Sequence, residues 1–305
     1  MSTTQTDDYT FIIDVSNYLH RYYHALSSYR APINNQLVKT GHIVGFTNLI
    51  KSIKDIQKDS KIILALDGKH SSNSRKSVNS HYKETRNSEE SKSIRSVLRG
   101  SIFDLLDILS PISDIRYIYD RDYEADDAIY SYINSNNENI CILSNDKDMY
   151  QLVSERVCVV RKFVPTKDWF KESTIIKTVN VQEAFNGVLP EDLLKFRAIT
   201  GDKSDNLKGY YRFRKAEAAK IASAYDYIDR KLVKKNNKCL EDTRYLEVIL
   251  NDFDLFCKNY DVMSLHNFSF ELSPLPNSPK DVILTKIKQL QLFNYLRWLS
   301  DNQYI

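Results

Sequence analysis

Cysteine is scarce in this chain, and the few that occur form no recognisable pattern. The 305 residues contain four, without CxxC spacing: Cys141, Cys158, Cys239 and Cys257. Their low density does not match the disulfide framework of a secreted domain. We therefore expect reduced thiols in an intracellular protein.

Two further features are missing, a secretion signal and a long apolar run. The opening residues MSTTQTDDYT contain no basic segment followed by an apolar one, so we expect no signal peptide. No apolar stretch approaches the roughly 20 residues of a membrane span, so we expect no membrane partner. A mean hydropathy of −0.45 with 42% apolar residues is typical of a globular protein of one large domain or two.

The formal net charge of +3 conceals a strong local asymmetry. Residues 120–148 contain eight acids and two bases, whereas residues 68–99 carry a net +5 and residues 207–238 a net +7. An acidic centre between two basic blocks suits a polyanion that is held around bound cations. Each basic block on its own would also be compatible with an ordinary solvated helix face.

Apolar runs alternate with amphipathic segments in the first half of the chain. We predict buried strands at residues 11–14, 61–66, 115–119, 139–144 and 156–160. We predict helices at residues 15–26, 42–56 and 93–109, and one beginning within 124–133. This alternation indicates βαβ crossovers and a parallel sheet, an α/β fold.

The remaining segments have a different character. Residues 68–88 have few apolar side chains and read as exposed and mobile, and the chain after about residue 180 is mainly helical. We therefore divide it into an α/β core, 1–180, and a helical region with a tail, 181–305. Residues 273–279 read as a linker before a last helix at 281–299.

Acidic residues lie at or just beyond the ends of four predicted strands: Asp14, Asp67, Glu124 and Asp146. Because sites of open parallel sheets form at the carboxyl ends of the strands, we expect these side chains to meet. Asp126, Asp127 and Asp148 stand close to them in the chain. A further motif, ITGDKSDN, adds Asp202 and Asp205 directly before the second basic block.

So many acids in one crevice require protonation or bound cations. Two like charges about 4 Å apart repel by roughly 4 kcal/mol at an effective dielectric of about 20. Oxygen ligands with few histidines suit Mg²⁺ or Mn²⁺, and two such ions can drive phosphodiester hydrolysis. The alternative is that acids such as those of EADD only cap helix N-termini.

The motifs FIID, LALDGK, HYKETR, YEADDA, LSNDKDMYQLV and ITGDKSDN occur in an order that closely resembles the 5′-nuclease superfamily. This superfamily includes the 5′→3′ exonuclease domain of bacterial DNA polymerase I and the flap endonucleases. The resemblance covers about residues 10–225. It implies a PIN-like α/β fold, with a helical arch near residues 68–92 and a helical C-terminal region carrying a degenerate helix–hairpin–helix. No polymerase domain follows, so the chain looks like a stand-alone enzyme, similar in size to the ribonuclease H of T-even phages.

The resemblance also implies two metal sites, each occupied by Mg²⁺ with Mn²⁺ as a substitute. Family positions near the first metal are matched by Asp14, Asp67, Glu124, Asp126, Asp146 and Asp148. Positions associated with the second metal are matched by Asp127, Asp202 and Asp205, with Asp148 between the two sites. No family carboxylate is missing, which argues against an inactive relative.

Basic and aromatic residues receive roles from the same resemblance. Lys83 and Arg86 would contact the scissile phosphate, and Tyr82 would pack against a base or the substrate end. Arg75 and Lys76 would belong to the arch that clamps single-stranded DNA. For Lys83 and Arg86 the plain alternative is a solvated helix face.

One departure from the family lies after GDKSDN, where a glycine-rich hairpin is expected. Gly209 is kept, but Arg212 and Arg214 stand at glycine positions, and arginine disfavours both positive φ and close phosphate approach. This puts the family's K⁺ site in doubt. Lys208, Arg212, Arg214 and Lys215 would then bind duplex phosphates through their side chains.

The expected activity is that of a structure-specific 5′ nuclease, a 5′→3′ exonuclease and flap endonuclease that removes RNA primers during replication. Its substrates would be branched or nicked DNA and RNA–DNA hybrids with a free 5′ end. It would act as a monomer in the cytoplasm of a bacterial cell or phage-infected host, with a sliding clamp or single-strand-binding protein as a partner. Gln289, Leu292 and Tyr295 faintly resemble a clamp-binding peptide, but a helix packed on the core explains them better. The alternatives are a non-catalytic flap-binding factor and a PIN-type ribonuclease.

Overall fold

The computed structural model describes residues 9–84, 88–235 and 244–305. The strands in chain order are β1 Tyr9–Asp14, β2 Arg30–Ile33, β3 Gln36–Lys39, β4 Ile62–Leu66, β5 Ile115–Tyr119, β6 Asn139–Leu143, β7 Val157–Lys162, β8 Thr174–Ile176, β9 Gly201–Asp202, β10 Leu207–Lys208, β11 Tyr225–Ile228, β12 Lys231–Lys234 and β13 Ser273–Pro274. The helices are α1 Val15–Ala25, α2 Gly41–Ile56, α3 Asn73–Val78, α4 Glu89–Leu109, α5 Ala125–Ser135, α6 Trp169–Glu172, α7 Thr178–Ala184, α8 Leu193–Thr200, α9 Lys215–Ala224, α10 Arg244–Asn251, α11 Phe253–Met263, α12 Lys280–Gln289 and α13 Phe293–Asp301. Short 3₁₀ turns cover Lys147–Leu152 and Pro190–Asp192.

Seven strands form the central sheet in the order β13-β5-β4-β1-β6-β7-β8. The five inner strands are parallel, and β13 and β8 run antiparallel at the two edges. The chain moves from β1 to β4 and β5 on one side and then to β6 and β7 on the other. The strand order therefore reverses beside β1, which is where open α/β sheets place their sites.

Two apolar cores cover the two faces of this sheet, because side chains alternate along each strand. Phe11 and Ile13 of β1 point into one core, together with α2, α4, α12 and α13. Ile12 points into the other core, with α5, α8, α9 and α11. Full burial of one such isoleucine contributes roughly 1.5–3 kcal/mol. These buried strands explain why the runs in the sequence are continuously apolar.

The predicted parallel sheet with flanking helices is confirmed, and the five predicted strands match β1, β4, β5, β6 and β7. The helices after residue 180 pack on both faces of the sheet, since α12 and α13 return to the core of α2 and α4. The boundary at residue 180 stays a prediction. Leu292 and Tyr295 are buried in that core, which agrees with the packed helix rather than an exposed clamp-binding peptide.

Three details differ from the sequence-based expectations. The segment from residue 68 to 84 is not exposed throughout, because Ser71, Arg75, Asn79 and Tyr82 are buried. The expected linker at residues 273–279 begins with the edge strand β13, which pairs with β5. The expected single last helix is two helices, and Gln291 between them has a φ of 57°.

Among residues 9–84, 88–235 and 244–305, no helix has the length and apolar character needed to cross a membrane.

Candidate active site

A cleft of about 570 Å³ opens beyond the carboxyl ends of the central strands. Five acids line it: Asp14, Asp67, Glu124, Asp126 and Asp146. They come from the ends of β1, β4 and β6 and from the N-terminus of α5, so the fold gathers side chains that are up to 132 residues apart in the chain. This arrangement is the meeting of strand-end acids that the sequence predicts.

Backbone and hydroxyl donors fix the cleft acids in place. Asp14 is the N-cap of α1, and its oxygens accept from the Asn17 backbone N–H at 3.0 Å and from Ser144 Oγ at 3.1 Å. Asp67 Oδ1 accepts from the Ala125 N–H at 2.9 Å, and Asp146 caps the 3₁₀ turn that follows it. Helix capping therefore occurs here, but in side chains that also face a shared cleft.

The acids repel one another strongly in the protein alone. Burial, and then the charges of Asp67 and Asp146, raise the pKa of Asp14 to about 7. Burial raises the pKa of Asp126 well above its usual value, and Asp146 and Asp14 add to the effect. Groups that resist ionisation in this way bind divalent cations readily, because a cation removes the repulsion.

A second acidic group lies beside the first. Oxygen atoms of Asp148, Asp202 and Asp205 come within 4.8 Å of one another. Asp202 is on the β9–β10 hairpin, where Gly201 has a φ of 74° and an added Cβ would meet the backbone of Gly209 at 2.3 Å. Arg197 of α8 reaches into this group, donating through Nη1 to Asp148 and through Nη2 to Asp202.

The structure does not bring Asp127 into this second group. Asp127 is 1% exposed and forms a two-pronged ion pair with Arg75, at 2.7 and 3.0 Å. It also accepts from the backbone N–H groups of Glu124 and His266. Burial alone would raise the pKa of Asp127, but the bonds to His266 and Arg75 hold it at about 2. Neighbouring protein groups thus engage both Asp127 oxygens, and the expected association with the second metal stays a prediction.

Arg75 is correspondingly not a DNA-facing residue. It is 3% exposed, pairs with Asp127 and with Glu124 Oε2 at 3.0 Å, and donates to the carbonyls of Val262 and Ser264. Its donors are therefore used inside the protein, which corrects the expected arch contact. Its neighbour Lys76 is exposed, as a DNA contact requires.

Glu124 connects this buried pair to Lys83. Lys83 Nζ lies 3.0 Å from both Glu124 oxygens, and Tyr82 Oη donates to Glu124 Oε2 at 3.2 Å. Burial opposes the charge on Lys83, yet Glu124 and neighbouring acids raise its pKa. Lys83 lines the cleft with a φ of 55°, a backbone conformation that costs a non-glycine residue about 1–2 kcal/mol.

Tyr82 is 4% exposed and belongs to the core around α5. This corrects the expectation that its ring stacks on the substrate, since the ring faces the protein interior. Arg86, the remaining residue predicted to contact the scissile phosphate, lies outside the described residues.

The predicted duplex-binding residues are all exposed: Lys208, Arg212, Arg214 and Lys215. Arg212 has a φ of 54°, so the backbone keeps the left-handed conformation that glycine would supply at this position. Its guanidinium lies over the ring of Tyr211, which is 83% exposed. Arg212 and Tyr211 thus present a cation and an aromatic ring to solvent side by side.

Several cleft residues were not singled out from the sequence. His20 of α1 and Arg95 and Arg99 of α4 line the same cleft as the acids. The only sequence signal for the two arginines is their place in the basic block at 68–99. Arg197 carried no signal, because its ion pairs depend on how α8 packs beside Asp148.

The fold and the site define a nuclease, and comparison with known proteins agrees. The sequence pattern of the 5'-3' exonuclease, N-terminal resolvase-like domain matches residues 9–186, more than half of the chain. A 5'-3' exonuclease of Buchnera aphidicola subsp. Schizaphis graminum is 25% identical over 96% of each chain. Another, from Buchnera aphidicola subsp. Acyrthosiphon pisum, is 31% identical over 65% of this chain and 64% of its own.

Solved structures show the same fold. T5 D15 protein co-crystallised with metal ions superposes with a TM-score of 0.60 at 18% identity, covering 93% of this chain and 98% of the other. The catalytic core of Rad2 in complex with DNA substrate gives 0.52 at 14% identity, covering 97% and 92%. The chain belongs to the 5'-3' exonuclease family of the 5′-nuclease superfamily, as its motif order predicts.

Proposed function

We propose that this protein is a Mg²⁺-dependent, structure-specific 5′ nuclease that cuts phosphodiesters at or near the 5′ ends of flaps, nicks and RNA-primed fragments. One observation carries the proposal. Acids from β1, β4, β6 and α5 meet in a cleft that also contains Lys83, Arg95 and Arg99. Anionic oxygens for cations and basic side chains for a phosphate strand therefore share one cavity.

The side chains fit divalent metals. Their donors are carboxylate oxygens, and burial, followed by the charges of neighbouring acids, raises the pKa values of Asp14 and Asp126. The first metal would be held by Asp14, Asp67, Asp126 and Asp146, and the second by Asp148, Asp202 and Asp205. When bound, two such ions supply activation of a water and stabilisation of the leaving oxygen. Mn²⁺ would substitute for Mg²⁺.

The protein's own residues bind and orient the nucleic acid. Lys83 stands at the cleft wall beside Glu124 and supplies a positive charge to the phosphate as negative charge develops there. Arg95 and Arg99 lie on the exposed side of α4, where they attract the 5′ strand. Lys208, Arg212, Arg214 and Lys215 bind the duplex backbone without reading sequence, so affinity falls as salt rises.

The first experiment is cleavage of a fluorescently labelled 5′-flap duplex, in Mg²⁺ and in EDTA. Wild type is compared with Asp146→Ala, and with Asp122→Ala, which removes an exposed carboxylate outside the cleft. We expect short 5′ products in Mg²⁺ only, lost in Asp146→Ala and kept in Asp122→Ala. Flap binding without cleavage by wild type in either Mg²⁺ or Mn²⁺ would refute the nuclease and favour a non-catalytic flap-binding factor.

A matched substrate with ribonucleotides at the 5′ end tests the biological role. Removal of RNA primers during replication predicts that this strand is also shortened from its 5′ end. Failure to cut it, with normal cutting of the DNA flap, would leave a flap endonuclease without a role in primer removal. The same reactions with a sliding clamp or a single-strand-binding protein test those partners, and sedimentation tests the expected monomer.

A further inference from the structure

Arg197 lies inside the acidic group that is assigned to the second metal. Its two terminal nitrogens bind different acids, Nη1 to Asp148 and Nη2 to Asp202. Its side chain is 12% exposed and those of the two acids are 14% exposed, so water screens these ion pairs only partly. The contact is therefore an internal one between protein groups rather than a surface pair of little energy.

The two acids belong to different elements of the fold. Asp148 is in the 3₁₀ turn after β6, and Asp202 is in the β9–β10 hairpin after α8. A guanidinium has a planar fork of donors that joins two carboxylates at a fixed geometry, whereas an ammonium is a compact charge on a flexible stem. Arg197 thus fastens the hairpin to the sheet and compensates part of the charge of Asp148, Asp202 and Asp205.

Arg197 binds one oxygen on each of two of the three acids assigned to the second metal. Asp148, Asp202 and Asp205 bring oxygens within 4.8 Å of one another, and the bonds from Arg197 end on Asp148 Oδ1 and Asp202 Oδ2. A guanidinium and a divalent cation compete for such carboxylates, because each satisfies the same negative charge.

We propose that Arg197 is a built-in cation that holds the second acidic group in the metal-free protein and must release it when a second divalent ion binds. This inference rests on the proposed function, since it takes these three acids as metal ligands. It predicts unequal sites in the absence of DNA, with weaker binding at the second. It also predicts that loss of Arg197 strengthens metal binding, the reverse of what loss of a supporting residue would do.

The test is a Mn²⁺ titration of the DNA-free protein, with free Mn²⁺ measured by electron paramagnetic resonance. The variants are Arg197→Gln, Arg197→Lys and Lys203→Gln, which removes an exposed charge next to Asp202. In Arg197→Gln we expect the Kd for Mn²⁺ at the weaker site to fall at least about tenfold, equivalent to about 1.4 kcal/mol. The tighter Kd should change by less than about twofold. Arg197→Lys should give a smaller gain, and Lys203→Gln almost none.

Thermal unfolding in EDTA and in Mn²⁺ provides a second readout. Arg197→Gln should have the lower Tm in EDTA and the larger increase on adding Mn²⁺. The inference is overturned if the Kd of the weaker metal site stays the same or rises in Arg197→Gln while it is unchanged in Lys203→Gln. Arg197 would then be a residue that orients the acids. If Arg197→Gln does not fold in EDTA, Arg197→Lys decides by the same criterion. Wild type that binds no Mn²⁺ would refute the proposed function itself, whereas two bound ions with no effect of Arg197 would refute only this inference.

Discussion

Replacing Arg75 with glutamine should destabilise the protein far more than replacing its neighbour Lys76. Arg75 and Asp127 are 3% and 1% exposed and form a two-pronged ion pair, whereas Lys76 is exposed. Removing one partner of a buried pair leaves an uncompensated charge, which costs about 3–5 kcal/mol. An exposed substitution such as Lys76→Gln usually changes stability by no more than about 0.5 kcal/mol.

The lowered pKa of Asp127 gives a second measure of how much the buried ion pair stabilises the protein. Its folded value of about 2 lies below the ordinary 3.8, because the bonds to His266 and Arg75 outweigh burial. That depression corresponds to about 2 kcal/mol of stability, fully present above pH 5 and lost as the pH falls from about 4 to 2. Without Arg75 the depression is smaller, so the acid-dependent loss should be smaller as well.

Urea unfolding followed by circular dichroism at pH 7 and pH 3 measures both effects. At pH 7 we expect wild type to have the highest free energy of unfolding and Lys76→Gln a slightly lower one. The free energy of unfolding of Arg75→Gln should be far below both. The gap between wild type and Arg75→Gln should narrow at pH 3. If the two variants were equally stable and only Arg75→Gln bound DNA more weakly, Arg75 would face the nucleic acid. It would then not form the buried ion pair with Asp127.

Three further predictions concern the cleft and the loop that carries Arg212. In EDTA the free energy of unfolding should fall as the pH rises from about 4 to 7, because the folded-state pKa of Asp14 is raised to about 7. Asp14→Asn should flatten this pH dependence. If the pH dependence persists in Asp14→Asn, a group other than Asp14 causes it. Lys83→Ala should lower the single-turnover cleavage rate by about 100- to 1000-fold while flap binding changes little, and loss of binding at an unchanged rate would contradict the role given to Lys83. Arg212→Gly should reduce the salt dependence of duplex binding by about one unit of slope. Its stability should stay within about 1 kcal/mol, because glycine accepts the φ of 54°; an unchanged salt slope would remove Arg212 from the duplex interface.

The sequence predicts the sheet well for a physical reason. The inner strands are buried on both faces, so they appear as continuous apolar runs such as IILAL in β4. The acids of the cleft follow from the same pattern, since Asp14, Asp67 and Asp146 stand at strand ends. Local periodicity and the geometry of parallel sheets are sufficient for this part of the fold and of the site.

Features that depend on distant partners could not be predicted in this way. The burial of Arg75 depends on Asp127, which is 52 residues away, so its hydrophilic surroundings in the sequence suggest an exposed residue. β13 is two residues long, contains Pro274, and pairs with the distant strand β5. Arg197 lies 49 residues from Asp148, and their ion pair exists only because α8 packs beside the 3₁₀ turn.

The long helix α4 contributes both to the cleft and to the packing of α12. Its 21 residues extend about 30 Å. Arg95 in its first half and Arg99 at its midpoint line the cleft, and Asp104 and Asp107 in its second half pair with Lys286 of α12. Lys286 of α12 therefore helps to hold in place the helix that carries Arg95 and Arg99. Shortening the chain so that α12 is lost should therefore loosen α4 and weaken the substrate binding that we propose for Arg95 and Arg99.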